Sequence, residues 1–212
     1  LVLTEVKKAG VEYSVFDELP PEPTYTQAQK LVDEFVASGA DFIIAVGGGS
    51  VMDTAKLASI LKTDEYGIKE LLDDPKRAKK CVKTLMIPTT AGTAAEVTIN
   101  YVITDVEKHR KFVCVDPHDI PVVAFVDPDM MSTMPKGLTA FTGMDALTHA
   151  IEGYITKAAC PMTDMMHLEA IRLISANLRA AVKNDPKGRE GMALGQYIAG
   201  MGFSNVGLGI VH

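Results

Sequence analysis

An aspartate and a histidine four residues apart are the side chains in this sequence best suited to metal chemistry. Asp145 and His149 fall in an otherwise apolar helical pattern, so both would project from one face of a helix, about one turn apart. A surface pair explains that spacing equally well. His212 favours the metal interpretation, because it ends a glycine-rich apolar segment that suits a neutral imidazole bound to a metal. The three residues are therefore predicted to bind one divalent cation.

A second candidate site is the run of three glycines and a serine at residues 47–50. It lies between a predicted buried strand and a predicted helix, where glycines let a phosphate approach the backbone and the helix N-terminus favours anions. The dinucleotide fingerprint is not met, because Met52 stands where its third glycine would fall. A plain structural turn is the alternative. Asp53 and Lys56 would then be ordinary first-turn and surface charges.

Residues 88–96, PTTAGTAAE, form a further loop after a predicted strand. Its hydroxyls and small side chains can hydrogen-bond a phosphate or a ribose, although a turn with threonine caps is the simpler alternative. Open α/β sheets place ligands at the carboxyl ends of their strands. Two such loops after successive strands therefore favour nucleotide binding.

The elements that must position these residues alternate over the first part of the chain. The pattern predicts a strand at 13–16, a helix from Thr24 to a stop at Ser38 and Gly39, a strand at 42–46 buried on both faces, and a helix at about 51–61. This alternation predicts α/β layers with right-handed crossovers. Further strands are predicted at residues 84–88, 97–103, 111–115 and 122–126, and the charged residues 64–83 are predicted to form a connection.

After Asp127 the strand pattern gives way to helical periodicity, at residues 143–156, 164–182 and 189–203. The change predicts a domain boundary near Met134 and Pro135. We therefore expect an α/β domain at residues 1–134 and a helical domain at residues 135–212.

Composition narrows the class of protein. The chain has 212 residues, 47% of them hydrophobic and 23% charged, so it can bury a full core. Its 21 basic and 27 acidic residues give a net charge of -6 and no basic stripe that would neutralise a nucleic-acid backbone. No apolar run approaches the roughly 20 residues of a membrane-spanning helix. Neither nucleic acid nor a membrane is expected as a partner.

Cysteine usage and the two ends of the chain give further expectations. Cys81, Cys114 and Cys160 are odd in number and far apart, which argues against a disulfide framework and a CxxC-type zinc site. A reducing, cytoplasmic location is expected. The chain starts without methionine and ends on an apolar stretch, so we expect a fragment that lacks both ends of a longer protein.

Three motifs occur in order: GGGSVMDTAK at 47–56, PTTAGTAAE at 88–96 and GLTAFTGMDALTHAIE at 137–152. Together they resemble the iron-containing alcohol dehydrogenases, and the resemblance covers essentially the whole chain. It implies a dinucleotide-binding α/β domain followed by an all-α metal-binding domain, the dehydroquinate synthase-like architecture. Within the family, residues 100–121 and 192–212 most resemble members that interconvert lactaldehyde and 1,2-propanediol.

For the metal, the resemblance implies that Asp145, His149 and His212 are three of its ligands. Fe(II) is the family's expectation, and Zn(II) suits the same donors. A fourth ligand and a histidine that assists proton transfer are expected beyond the end of the chain. No residue of this chain is therefore assigned as a catalytic acid or base.

For the cofactor, the resemblance implies NAD, with its contacts spread over the two loops and one strand. Gly48, Gly49 and Ser50 would bind the pyrophosphate, and Thr89, Thr90 and Thr93 would bind the phosphates and the ribose. Lys111 would lie near the nicotinamide ribose and Asp53 near the nicotinamide end. The acidic residue that favours NAD over NADP is expected before the first residue. The preference for NAD is therefore inferred only from the resemblance.

The implied activity is the metal-dependent, NAD-linked interconversion of a small aldehyde or 2-hydroxyaldehyde with its alcohol or diol, in a homodimer. Asn100 and Phe203 are expected to line the substrate pocket, with core packing as the alternative for both. The competing hypotheses are a glycerol dehydrogenase or a dehydroquinate synthase-like lyase of the same fold, and a non-catalytic nucleotide-binding module. The threonine loop and the metal helix favour the alcohol dehydrogenases.

Overall fold

The computed structural model describes residues 1–61, 67–74, 76 and 82–212. Its helices are α1 (Val2–Lys8), α2 (Tyr25–Ser38), α3 (Gly49–Leu61), α4 (Ile68–Asp73), α5 (Lys136–Ile155), α6 (Pro161–Val182) and α7 (Pro186–Val206). Its strands are β1 (Phe42–Gly47), β2 (Lys83–Pro88), β3 (Asn100–Asp105), β4 (Arg110–Val115) and β5 (Val123–Ala124). Short 3-10 helices include Ala95–Val97, Pro117–Asp119 and Pro128–Met131.

The parallel sheet has the strand order β1-β2-β5. Val46 and Gly47 of β1 lie opposite Ile87 and Pro88 of β2, so the two strands end at the same edge. The amide of Thr89 donates to the carbonyl oxygen of Gly47 at 2.9 Å. The glycine loop after β1 and the threonine loop after β2 therefore start side by side, as the pattern of successive parallel strands predicts.

The prediction that β1 is buried on both faces is wrong for the part of the chain that the structure describes. Alternate side chains of a strand point to opposite faces. Ala45 is buried against residues of α3, whereas Phe42, Ile44 and Val46 on the other face are 37% to 39% exposed. Only one face of the strand is covered.

Helix α2 begins and ends where the sequence predicts. Thr24 forms a capping box with Gln27, whose side chain accepts a 2.8 Å hydrogen bond from the Thr24 amide. Gly39 ends the helix at φ 69°, a left-handed conformation that glycine adopts without a steric penalty. Between the two caps, Ala28, Val32 and Phe35 face the core.

The strand predicted at residues 13–16 does not form. Residues 11–20 have no regular structure, and the side chains of Tyr13 and Val15 are 43% and 54% exposed. An extended segment becomes a strand only when its backbone pairs with a neighbour. Among the described residues, this segment has no such neighbour.

Strands β3 and β4 form an antiparallel pair of their own, in which Tyr101 lies opposite Cys114. The predicted strands 97–103 and 111–115 therefore do not join the parallel sheet, because a short turn lets them pair with each other. β3 starts only at Asn100, since Ala95–Val97 form a 3-10 helix. β5 is likewise shorter than its predicted range of 122–126.

The predicted connection at residues 64–83 contains α4, which the sequence reasoning missed. Ile68 and Leu71 are buried there and pack with Val32 and Leu57 in one core cluster. Of the remaining positions in that range, 64–66, 75 and 77–81 lie outside the described residues.

Helices α5, α6 and α7 pack together around a second core. Each begins earlier than predicted, because a proline at or just before the first helical position fixes the start: Pro135, Pro161 and Pro186. An α/β part followed by these helices confirms the predicted fold class. Within the described ranges, no helix combines the length and apolar character needed to cross a bilayer.

A tight seam joins α7 to the loop after β2. Gln196 donates a buried 2.5 Å hydrogen bond to Glu96, and the hydroxyl of Ser204 accepts one of 3.1 Å from the Ile99 amide. Gly200 lies between these bonds, where a Cβ atom would overlap the side chain of Ala94. The threonine loop is thus held against the helical part of the chain.

Gly200→Ala tests this seam. The added methyl forces the helix and the loop apart, so the free energy of unfolding should fall by about 1 to 3 kcal/mol in a urea titration. Gly137→Ala is the matched control, since a Cβ there would lie 4.0 Å from the ring of Phe141. That control should be neutral or stabilising, by up to about 1 kcal/mol. Equal effects of the two variants would contradict the close approach at Gly200.

Candidate metal and cofactor site

The three predicted metal ligands come together in the structure. α5 carries Asp145 and His149, and the chain turns at Gly207 after α7 so that His212 returns to α5. One ligand atom from each of the three residues lies within 4.8 Å of the other two. His212 Nε2 is 3.2 Å from Asp145 Oδ1, and His149 Nδ1 is 4.0 Å from Asp145 Oδ2.

The protonation preferences of the two imidazoles differ. Burial lowers the pKa of His149, whose buried Nδ1 has no hydrogen-bond partner. Burial would also lower the pKa of His212, but hydrogen bonds to Glu152 and Asp145 raise it overall. A buried imidazole nitrogen without a partner, facing a carboxylate, fits a group that binds a cation in its neutral form.

Ring stacking fixes the plane of His149. Its ring lies 4.7 Å from that of Phe203 and 4.1 Å from that of His212, with interplanar angles of 25° and 28°. Phe203 is 3% exposed and also lines the cavity in front of the three ligands. The residue predicted to limit the substrate pocket therefore also supports a predicted ligand.

A cavity of about 720 Å³ runs from the three ligands to the two loops. Most of the residues predicted for the site line it: Gly49, Ser50, Asp53, Thr93, Asn100, Lys111, Asp145, His149, Phe203 and His212. Gly48, Thr89 and Thr90 are not among its lining residues. The three residues are half-buried, and the Thr90 side chain lies 3.2 Å from the position that a Cβ on Gly48 would take.

The start of α3 forms one wall of this cavity, with Gly49 and Ser50 in its first turn. A Cβ on Gly49 would lie 2.9 Å from the Thr93 methyl, so only glycine leaves the space between Gly49 and Thr93 open. A helix N-terminus with small residues around it is suited to a phosphate.

Asp53 and Lys56 are not the surface charges that the simpler alternative predicts. Lys56 is fully buried, and its Nζ donates to the backbone oxygens of Thr98 at 2.5 Å and Asn100 at 2.8 Å. Asp53 accepts a 3.0 Å hydrogen bond from the Val102 amide. Burial lowers the pKa of Lys56 and raises that of Asp53 to about 7. Through these hydrogen bonds, Lys56 and Asp53 hold α3 against the start of β3.

Lys111 lies at the far end of the cavity. Its side chain is 58% exposed and forms a 3.1 Å ion pair with Glu22. The position of Lys111 is compatible with contact to a ligand that extends along the cavity. The exposure of its side chain also agrees with an ordinary charged residue at the edge of a strand. Its assignment to the cofactor therefore stays a prediction.

Glu152 is a residue of this site that the sequence reasoning missed. It is 5% exposed and accepts hydrogen bonds from the Val211 amide at 2.6 Å, the Gly209 amide at 3.2 Å and His212 Nδ1 at 2.8 Å. Burial alone would raise the pKa of Glu152, but these three donors lower it to about 2. Its spacing of three residues from His149 was the available signal.

Two family models match nearly the whole chain. The model for iron-containing alcohol dehydrogenases matches residues 1–128, and the model for the C-terminal part of the same family matches residues 139–212. The chain belongs to the iron-containing alcohol dehydrogenase family.

Proteins of known identity are similar to this chain over all or nearly all of its length. Lactaldehyde reductase of Escherichia coli K12 is 55% identical over all of this chain and 56% of that protein. An iron-containing alcohol dehydrogenase from Thermotoga maritima matches with a TM-score of 0.92 and 34% identity, over 98% of this chain and 57% of that chain. This chain thus spans little more than half the length of the relatives it matches.

One solved structure similar to this chain contains a nucleotide. It is sulfoacetaldehyde reductase from Bifidobacterium kashiwanohense in complex with NAD+, with a TM-score of 0.90 and 30% identity, over 98% of this chain and 56% of that chain. The NAD+ is bound by that protein, whose fold this chain shares.

Asp53→Asn tests the half-buried carboxyl group on α3. Because burial raises the pKa of Asp53 from 3.8 to about 7, the native state keeps a proton that the unfolded chain has already released. The contribution of Asp53 to stability therefore falls as the pH rises through that window. The asparagine side chain does not ionise, so the variant should lack this dependence of stability on pH.

We expect the variant to gain stability over the wild type between about pH 5 and about pH 7, by at most about 1.4 kcal/mol per pH unit. Denaturant unfolding at several pH values measures the difference. Asp41→Asn controls for the loss of a negative charge at an exposed position. A pH-independent difference for Asp53→Asn would show that this carboxyl group is not held protonated.

Proposed function

We propose that the protein is a metal-dependent, NAD-linked oxidoreductase that interconverts a small aldehyde and its alcohol, with lactaldehyde and 1,2-propanediol as the pair. The observation that carries the proposal is the convergence of Asp145, His149 and His212 on the cavity that also holds the start of α3. The 55% identity to lactaldehyde reductase supports the choice of substrate.

The metal would be held by one carboxylate oxygen and two imidazole nitrogens, from Asp145, His149 and His212. Such a donor set suits Fe(II) or Zn(II), and membership of an iron-containing family supports iron. A cation bound there supplies Lewis-acid polarisation of the substrate oxygen. The protein's own contribution is to keep His149 neutral by burial and to hold both rings in fixed planes.

NAD would bind along the cavity and supply the hydride. Gly49 and Ser50 would hold the pyrophosphate at the start of α3, and Thr93 would bond the phosphates or the ribose. Gly48 would also contribute to the pyrophosphate site, and Thr89 and Thr90 to the site of the phosphates and ribose. Asp53 and Lys111 would face the nicotinamide end. The NAD+ complex of sulfoacetaldehyde reductase, which has a similar fold, supports this use of the cavity.

The substrate would lie between Asn100 and Phe203, next to the metal ligands. Asn100 lines the cavity while its backbone oxygen is held by Lys56, so its position is fixed by a buried contact. An amide there would hold the second hydroxyl of a diol. Phe203 is packed against His149 and would limit the length of the substrate.

The proposal extends to the organisation of the protein. Residues 1–134 would be the dinucleotide-binding domain and residues 135–212 the metal-binding domain, which agrees with the start of α5 at Lys136. We assign a homodimer on the basis of the family resemblance, to be tested by analytical ultracentrifugation. The free thiols of Cys114 and Cys160 support a reducing, cytoplasmic location.

His149→Ala tests the proposed function. Without this imidazole the protein should lose both its bound metal, by elemental analysis, and its NADH-dependent reduction of lactaldehyde. His109→Asn is the matched control, because His109 is exposed and Asn tolerates its φ of 48°. Full metal content in the His149→Ala variant would overturn the metal assignment. A metal-loaded wild-type protein of the same length as its relatives that fails to oxidise any small diol would overturn the activity.

Gly49→Ala tests the cofactor assignment separately. The added methyl meets Thr93 and obstructs the passage to the start of α3, so the Kd for NADH should rise about tenfold or more, which corresponds to about 1.4 kcal/mol. Fluorescence titration measures it, with Gly137→Ala as the control. Metal content should not change. An unchanged Kd in a folded variant would mean that the glycine turn is only structural.

A further inference from the structure

The segment that carries His212 is fastened to α5 through its backbone. After α7 the chain turns at Gly207, whose φ is 75°, and runs back along α5. The amides of Gly209 and Val211 both donate to the Glu152 carboxylate.

The same carboxylate also receives the imidazole. Glu152 Oε2 lies 2.8 Å from His212 Nδ1 and 3.2 Å from the Gly209 amide, while Oε1 lies 2.6 Å from the Val211 amide. The approach is close, since a Cβ on Gly209 would lie 3.1 Å from Oε1. The three hydrogen bonds and the almost complete burial of Glu152 fix the orientation of its carboxylate.

We propose that Glu152 is the positioning residue of the metal centre and acts through His212; this rests on the metal site proposed above. A neutral imidazole has one donor and one acceptor nitrogen. Glu152 accepts from Nδ1, so Nε2, which lies 3.2 Å from Asp145 Oδ1, is the nitrogen that would lose its proton when a cation binds and become its ligand. An outer acceptor of this kind fixes the tautomer and the ring orientation of a metal-binding histidine.

The other imidazole is held in a different way. His149 lies on α5 and is held by burial and by stacking between Phe203 and His212. His212 lies beyond the end of α7, and Glu152 holds both its ring and the backbone of its segment. The effect of Glu152 on the site should therefore pass through His212.

Glu152→Gln tests this role with Zn(II) as the probe. The amide keeps the size of the side chain but cannot accept all three hydrogen bonds as a carboxylate does. Competition with a chromogenic chelator should give a Kd for Zn(II) about tenfold or more above that of the wild type. Glu190→Gln is the matched control, the same change at an exposed position on α7, and should leave the Kd unchanged.

A double-mutant cycle separates positioning from a merely structural effect. If Glu152 acts through His212, the Zn(II) penalty of Glu152→Gln should vanish in a His212→Ala background. The visible spectrum of the Co(II)-loaded protein should also shift in Glu152→Gln, because one ligand is reoriented. A structural role would lower only the melting temperature of the metal-free protein and leave the spectrum unchanged.

The outcomes are distinguishable from those of the proposed function. A wild type that does not bind Zn(II) overturns the metal site itself. Equal Zn(II) affinity and equal Co(II) spectra in the wild type and Glu152→Gln overturn only the positioning role. Should circular dichroism show that Glu152→Gln is unfolded, Glu152→Asp replaces it. The shorter carboxylate should weaken Zn(II) binding, and wild-type affinity in that variant overturns the role.

Discussion

A buried ammonium group organises the floor of the cavity. Lys56 has no access to water, so its Nζ must find acceptors within the protein. It finds them in the backbone oxygens of Thr98 and Asn100, with Asp119 at 3.9 Å. These contacts tie α3, which starts at the glycine loop, to the chain that enters β3. The cavity wall at the start of α3 and the wall at Asn100 are thereby held at a fixed separation.

The helical part of the chain is attached to that same floor. Ile99, between the two oxygens that bind Lys56, donates to Ser204 on α7, and Phe203 beside it stacks on His149. A short path of direct contacts therefore joins the buried ammonium to a predicted metal ligand. The relative placement of the candidate metal ligands and the glycine loop is set by this path and by the seam at Gly200.

Local signals in the sequence predicted the parts of the structure that depend on local chemistry. Thr24 and Gly39 predicted both ends of α2, and the spacing of Asp145 and His149 predicted a shared helix face. The burial of Lys56 was not predictable from its neighbours along the chain, because its acceptors lie more than forty residues away. The prediction of a strand at residues 13–16 was wrong for a related reason. A strand forms only with a pairing partner, which a local sequence pattern does not specify.

The three candidate ligands are held in place by different interactions. Asp145 and His149 share a helix packed into the second core, whereas His212 lies beyond the end of α7 on a segment that meets α5 through Glu152. If that segment moved away from α5, the buried Glu152 carboxylate would lose its three donors. A buried acceptor without partners costs free energy, which opposes the movement. Glu152 therefore helps to keep the third candidate ligand near the other two.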